Sequence, residues 1–346
     1  MSSQRRLLIL AEGFSDDAHY GKTARGVLRY RPEEVVAILD SKRAGKTHEG
    51  GFPIVGTVFG ALAYEPNTAL VGVATQGGRF PAAWRDVLKE CITKGLDIEN
   101  GLHEFITDDP ELSELAALHG VQLRDLRKPP SGLNVPTGEN LTHDSKVVLT
   151  VGSDCAIGKM TVALELDAET RRRGIKSEFV PTGQTGIAIA GWGISVDAVV
   201  ADFLAGSAET LVIEGRNRGG ELLWVEGQGS LLHPAYSGVT LGLLHGSAPH
   251  VLVLCHQVGQ EIVDDDVRFP MPSLASLVEL YERSSLIARP AKVVAIALNT
   301  RNVDDDGARA AIAAAEAETG LPADDPVRFG SERIVAAVLD GVGLSP

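Results

Sequence analysis

The chain has 346 residues, 44% of them hydrophobic and 23% charged, enough to bury two cores of ordinary soluble composition. Acidic residues outnumber basic ones 46 to 32, a formal net charge of -14. That balance excludes a general nucleic-acid or anionic-membrane surface, each of which needs a basic face, but not a small anionic ligand held by a few local donors.

Strands and helices alternate from the start. LLILAEG reads as a buried strand, Lys22 to Tyr30 as a helix and VVAILD as a second strand. ALVGVAT is a third, followed by a helix from about Pro81 to Lys94, the short strand LDI, and a helix near Pro110 to His119. Such alternation predicts a parallel sheet covered by helices. Gly21-Lys22-Thr23 imitates the end of a phosphate loop, but Asp16 stands where the preceding glycine is needed, so it reads as a helix start. Asp40, at the end of VVAILD, suits a ribose hydroxyl, while Gln76-Gly77-Gly78 and Asn100-Gly101-Leu102-His103 follow the next two strands. The Pro-, Gly- and polar-rich stretch from Arg127 to Ser145 is the expected boundary, giving domains over 1–135 and 146–346.

The second domain opens on the most informative run of the chain. Strand VVLTV leads into Gly152-Ser153-Asp154-Cys155-Ala156-Ile157-Gly158-Lys159 and then a helix to Arg173. Glycines let backbone N–H groups converge on an anion, the helix N-terminus adds partial positive charge, and the lysine reaches outer phosphates. Five residues rather than four separate Gly152 from Gly158, and Met160 stands where a serine or threonine normally holds Mg²⁺. Thr161 is one residue further, which turns it about 100° around the helix. The loop predicts a phosphorylated ligand, and its two departures put Mg²⁺-assisted phosphoryl transfer in doubt.

The later elements are a strand and loop in SEFVPTGQTG, a long helix over VDAVVADFLAGSAETLV, a strand and loop in ELLWVEGQGS, and the buried strand HVLVLCH. LASLVELYERSSLI is a helix, KVVAIALNT a strand, and two helices over Gly307 to Thr319 and Ser331 to Leu339 close the chain. In a parallel sheet, ligands bind beyond the carboxyl ends of the strands. That edge gathers the phosphate loop, Thr182-Gly183-Gln184-Thr185-Gly186, Glu226-Gly227-Gln228-Gly229-Ser230 with His233, Cys255-His256 and Asn299-Thr300. Glu226 suits a metal-bound water or proton transfer, and His233 is an acid–base candidate ahead of His245 and His256. Gln184 and Thr185 offer donors to a substrate carboxylate, or plain turn chemistry. Asp154 suits ordering the loop. The triplets Asp264-Asp265-Asp266 and Asp304-Asp305-Asp306 read as solvated turns, and no metal site is expected.

Cys91, Cys155 and Cys255 are odd in number and far apart, with no CxxC pair, which fits a reducing compartment. Cys155 reads as a small residue filling a tight turn rather than as a nucleophile. MSSQRR passes straight into the first strand without a signal-length apolar run, and nothing approaches the roughly 18 apolar residues of a membrane span. A cytoplasmic protein is expected.

GSDCAIGK resembles the loop of dethiobiotin synthetase, with the same five-residue gap and an Asp two places after the glycine. The wider set, KTARG, GSDCAIGKMT, PTGQTG, DAVVADFLAG, VEGQGSLLHP and GVTLGLLHG, resembles the family catalogued as a domain of unknown function that includes the D-glutamate N-acetyltransferases. The resemblance spans nearly the whole chain. It implies an α/β protein with a Rossmann-like N-terminal domain and a P-loop C-terminal domain, using acetyl-CoA to acetylate a D-amino acid such as D-glutamate. The loop from Gly152 to Thr161 would then bind coenzyme phosphates, with Lys159 taking part in catalysis and Glu226 or His233 accepting the ammonium proton. Thr182, Gln184, Thr185, Gln228 and Ser230 would line the amino acid site. The runner-up is an ATP- and Mg²⁺-dependent ligase or kinase of the dethiobiotin synthetase kind, with Lys159 at the γ-phosphate and Glu226 near the metal. A third reading is a module that binds coenzyme A or a nucleotide without turnover. A closed homo-oligomer is the default assembly.

Overall fold

The computed structural model describes residues 5–15, 21–73, 80, 82–263 and 268–344. Gln76-Gly77-Gly78 and the Asp264–Asp266 triplet lie outside the described residues. Two parallel six-stranded sheets make an α/β protein. The first contains β1 (Leu7–Leu10), β2 (Val35–Leu39), β3 (Ile54–Val55), β4 (Thr68–Val71), β5 (Asp97–Asn100) and β6 (Leu123–Asp125). Its order is β3-β2-β1-β4-β5-β6, the Rossmann arrangement, in which the chain runs outward from β1 in both directions. Helices α1 (Lys22–Tyr30), α2 (Val58–Ala61), α3 (Ala82–Thr93) and α4 (Pro110–His119) connect these strands. The LLIL of β1 is buried throughout because helices cover both faces of a central parallel strand. Helix α4 shows how locally the elements are written: Asp109 accepts from Leu112 N–H at 3.1 Å, Pro110 opens the first turn, and Gly120 ends it in the left-handed region. The two-residue β3 and three-residue β6 were not expected, since neither is long enough to carry a period.

The second sheet is built from β7 (Lys146–Gly152), β8 (Ser177–Val180), β9 (Leu222–Val225), β10 (Val251–Gln257), β13 (Lys292–Asn299) and β14 (Ala323–Asp324). Between β10 and β13 lies the small antiparallel pair β11 (Ile262–Val263) and β12 (Phe269–Pro270). The helices are α5 (Lys159–Arg172), α6 (Gln184–Ala190), α7 (Ala201–Asn217), α8 (Ser237–Ser247), α9 (Leu274–Arg283), α10 (Asp305–Thr319) and α11 (Glu332–Val342). Strand order β14-β13-β10-β7-β9-β8 puts β7 at the centre, with β8 and β9 on one side and β10, β13 and β14 on the other. The reversal of strand order lies between β7 and β10, where open α/β sheets bind ligands.

Three helices also differ from the sequence-based expectation. The loop after β8 becomes α6 from Gln184, and the long helix starts at Ala201, after a single 3₁₀ turn over Val196–Ala198. Helix α8 was not expected at all: its run SGVTLGLLHGS is poor in helix formers, and packing against α7 overrides that propensity. Of the Asp304–Asp306 turn, Asp304 caps α10 by accepting from Gly307 N–H at 2.8 Å.

The chain packs as two compact units, Met1–Pro129 with Gln184–Ser195, and Pro130–Gly183 with Val196–Pro346. The helix after β8 therefore belongs to the first unit, which no sequence signal announced. Three arginines of that unit fasten its end: Arg5 donates to Ala188 O at 3.0 Å, Arg31 to Ile189 O at 2.9 Å and Arg124 to Gly191 O at 3.0 Å. Cations on the last carbonyls of a helix satisfy orphan acceptors and oppose the negative end of its dipole. The Pro- and Gly-rich stretch before β7 is no loose linker. Thr137 and Gly138 N–H both donate to Glu209 at 2.6 Å, and Arg289 holds the carbonyls of Asn140 and Leu141 at 3.1 and 2.8 Å.

At the start of β7, His250 Nδ1 accepts from Val147 N–H at 3.0 Å. Burial first, then the charges of Arg289 and Lys146, hold this imidazole down to about 4 from an ordinary 6.5. The folded histidine stays neutral while the unfolded one takes up a proton, so its stability contribution is intact above about 6.5 and is lost progressively as pH falls toward 4. In His250→Asn, whose amide oxygen can still accept from Val147, the urea midpoint is expected to fall less than in the wild type between pH 7.5 and 4.5. Equal falls in the two proteins would remove His250 from the account.

Candidate functional site

The phosphate loop leaves the central strand β7 at Gly152 and enters α5 at Lys159. Gly158 is the N-cap residue at φ +113, a conformation side chains resist, and no side chain caps the helix behind it. The start of this 14-residue helix is thus of the kind at which backbone amides receive anions. Ala156 is exposed and also left-handed, at φ 54, a strain that the surrounding contacts hold in place.

Those contacts come from four neighbouring segments. Ser153 N–H donates to Cys255 O at 3.0 Å, and Ser153 O accepts from Ser230 Oγ at 3.0 Å. Tyr281 of α9 donates its hydroxyl to Gly152 O at 2.6 Å, and Asn299 at the end of β13 donates to Ile157 O at 2.9 Å. Asp154 spends its carboxylate on Cys155 N–H at 2.7 Å and Gln260 Nε2 at 2.5 Å, a loop-ordering arrangement. Lys159 is 6% exposed and lays its ammonium on Asp154 O at 2.6 Å, inside the loop. Cys155, Met160 and Thr161 are half-buried around the same turn. Cys255 is a different thiol: burial pushes it up to about 12, against the nearby Lys159 charge, so it is an inert core residue.

Beside the loop, Glu226 ties two strand ends together. Its Oε2 accepts from the N–H groups of Thr182 at 2.9 Å and Gly183 at 3.2 Å, and its Oε1 accepts from Gln228 Nε2 at 3.2 Å. Thr182 Oγ1 returns a bond to Glu226 O at 2.7 Å and receives Gln228 Nε2 at 3.2 Å. The next residue, Gly227, passes so close to β7 that an added Cβ would lie 1.7 Å from Thr150 O, while its N–H bonds Thr150 Oγ1 at 3.0 Å. His233 is buried, accepts from Ala235 N–H through Nδ1 at 3.2 Å and lies tilted against the Tyr236 ring, with centroids 4.6 Å apart.

The loop, Thr182, Glu226, Gln228, Ser230 and His233 therefore gather at one edge of the second unit. Gln184 and Thr185 belong to the first unit. In α6, Gln184 accepts from Arg127 at 2.9 Å and Thr185 meets Thr23 at 3.1 Å, all within the first unit. In that unit Asp40, the ribose candidate, instead holds its own neighbourhood, accepting from Gly13 N–H at 3.1 Å and from Ser15 Oγ at 2.5 Å. Tyr281 was missed, because a tyrosine on the apolar face of a helix carries no mark of what its hydroxyl will reach.

Residues 40–129 match the model of a Rossmann-like domain of unknown function, DUF1611_N, and residues 134–335 match its companion P-loop domain, DUF1611_C. The chain belongs to the DUF1611 family. A crystal structure of a DUF1611 family protein from Anabaena variabilis is similar at 40% identity, with TM-score 0.89 over 97% of this chain and 99% of that one. Two relatives are called D-glutamate N-acetyltransferase. One, from Tritonibacter scottomollicae, is 37% identical over 95% of this chain and 97% of its own. The other, from Pseudoalteromonas sp, is 36% identical over 78% of this chain and 80% of its own. The chain pairs a Rossmann-like unit with a P-loop unit, and among its described residues no helix is long and apolar enough to cross a membrane.

Proposed function

We propose that this DUF1611 protein is an enzyme that moves the acetyl group of acetyl-CoA to the amino group of D-glutamate. The observation that carries the reading is the similarity to two D-glutamate N-acetyltransferases along most of both chains. The geometry is consistent with the coenzyme half of that reaction. An uncapped helix start, a buried lysine and a left-handed glycine turn suit phosphate oxygens. Met160 offers a thioether where Mg²⁺ would demand oxygen, and Glu226 already has its carboxylate engaged by two backbone amides and Gln228. Coenzyme A needs no metal to be held by its phosphates, so these features favour it over ATP with Mg²⁺.

Bound acetyl-CoA supplies an activated thioester carbonyl for attack by a neutral amine. The thioester lies a full pantetheine arm away from the phosphates, so side chains that line the loop bind the coenzyme rather than touch the reacting carbon. We therefore assign Lys159 to coenzyme binding. Glu226 braces the strand ends through Thr182, Gly183 and Gln228, which keeps the rim of the site in register with the loop. We place the reaction in a reducing compartment, the cytoplasm, where the three cysteines remain the free thiols they are here.

The test is calorimetric binding of acetyl-CoA and of ATP, each with and without Mg²⁺, followed by thiol release on adding D- or L-glutamate. Acetyl-CoA binding that ignores Mg²⁺, with thiol release on D-glutamate, is the expected result. Mg²⁺-dependent ATP binding without any response to acetyl-CoA would replace the acyltransferase with a synthetase.

A further inference from the structure

His256 was a minor candidate in the sequence, and the structure gives it a definite position. It is one residue beyond Cys255, which pairs with Gly152, so it flanks the phosphate loop at the point where strand order reverses between β7 and β10. Its Nδ1 lies 2.9 Å from Ser153 Oγ. Ser153 itself is fully buried and fixed from both sides, by its N–H on Cys255 O and by Ser230 Oγ on its carbonyl. With the Ser153 backbone held at both ends, its hydroxyl gives the ring a fixed partner at Nδ1; the imidazole remains partly exposed, and Nε2, across the ring, is its other hydrogen-bonding atom.

We infer that His256 is a phosphate ligand of this loop, oriented by Ser153, and that it takes up a proton when a phosphorylated coenzyme binds. The inference rests on the reading that the loop holds the phosphates of acetyl-CoA. Its chemistry is that of any imidazole beside an arriving anion: Nε2–H donates to a phosphate oxygen, and the negative charge stabilises the imidazolium, in which both ring nitrogens donate. Before binding, burial holds this histidine below its ordinary range and Glu318 of α10 is the opposing charge. Among the described residues, the charged groups of the loop itself are Lys159, whose ammonium rests on Asp154 O, and Asp154, whose carboxylate is engaged by Gln260 and Cys155 N–H. Burial therefore favours the neutral ring beside Ser153 until a phosphate arrives. Because the phosphates and the thioester sit at opposite ends of the coenzyme, this assigns His256 to affinity and its pH dependence, not to the acyl-transfer step.

The experiment is calorimetry of acetyl-CoA binding from pH 6 to 8 in buffers of different ionisation enthalpy, on wild type, His256→Gln, His256→Asn and Ser153→Ala, with thermal melts to show that each is folded. The coenzyme's own phosphate monoester also titrates in this range, so proton uptake is read as the difference between wild type and variant. The expected result is an excess uptake of up to one proton by the wild type, about 5- to 20-fold weaker binding at pH 6.5 in both His256 variants, and a smaller loss in Ser153→Ala. Folded His256 variants that match the wild type in affinity and proton count would overturn the inference while leaving the acetyl-CoA reading intact. A wild type that does not bind acetyl-CoA would overturn that reading, and the inference with it.

Discussion

Replacing Lys159 with alanine is expected to weaken acetyl-CoA binding about 10- to 100-fold while leaving the thermal midpoint nearly unchanged. A hydrogen bond to a charged group contributes about 1.5–3 kcal/mol, and phosphate recognition by an ammonium is of this kind. Lys159 is 6% exposed and its ammonium already rests on a loop carbonyl, so the lysine loses little further freedom when a phosphate replaces that acceptor. The reading predicts where the loss falls. If the side chain binds phosphates remote from the thioester, KM for acetyl-CoA rises while kcat at saturating coenzyme changes by less than about threefold. A collapse of kcat at saturation, with coenzyme affinity retained, would place Lys159 at the reacting atoms instead. Affinity unchanged within twofold would remove the loop from coenzyme binding altogether.

Gly227→Ala should be the most damaging single methyl in the second unit. Its Cβ would stand 1.7 Å from Thr150 O, a backbone atom of the central strand that cannot step aside as a flexible side chain would. Relief requires the segment carrying Glu226 and Gln228 to move off β7, breaking the Gly227 N–H bond to Thr150 Oγ1 and the bracing of Thr182 and Gly183. Overpacking of this kind costs about 3 kcal/mol or more, which lowers Tm by roughly 6–12 °C in a domain of this size. The same substitution at Gly238, in α8, meets nothing within 4 Å and should leave Tm unchanged or raise it slightly. Equal melting of the two variants would show that the close approach at Gly227 is not a constraint.

Much of this architecture was legible in the residues because its signals are local. The strands Leu7–Leu10, Val35–Leu39, Lys146–Gly152 and Val251–Gln257 are apolar runs long enough to be seen, and each is followed by the turn residues that a parallel sheet puts at its ligand edge. The phosphate loop was legible for the same reason: spacing of glycines, lysine and helix start is a property of one short segment. Helix α8 was not, because its small residues favour a helix only when α7 lies against them. Nor was the membership of α6 in the first unit, which depends on Arg5, Arg31 and Arg124, residues more than 60 positions away.

By itself the sequence determined two parallel α/β units, a family, and a loop whose backbone is built for phosphate, since period, turn chemistry and motif spacing all act over a few residues. Only the tertiary structure decided which side chains serve that loop. Glu226 read as a partner for a metal-bound water or a proton until folding brought the Thr182 and Gly183 amides to it from 44 and 43 positions away, and His256 ranked behind His233 until folding set its ring against Ser153, 103 positions away. A hydrogen bond is decided by ångströms in space, and a strand order of β10-β7-β9-β8 creates neighbours that separation along the chain does not record.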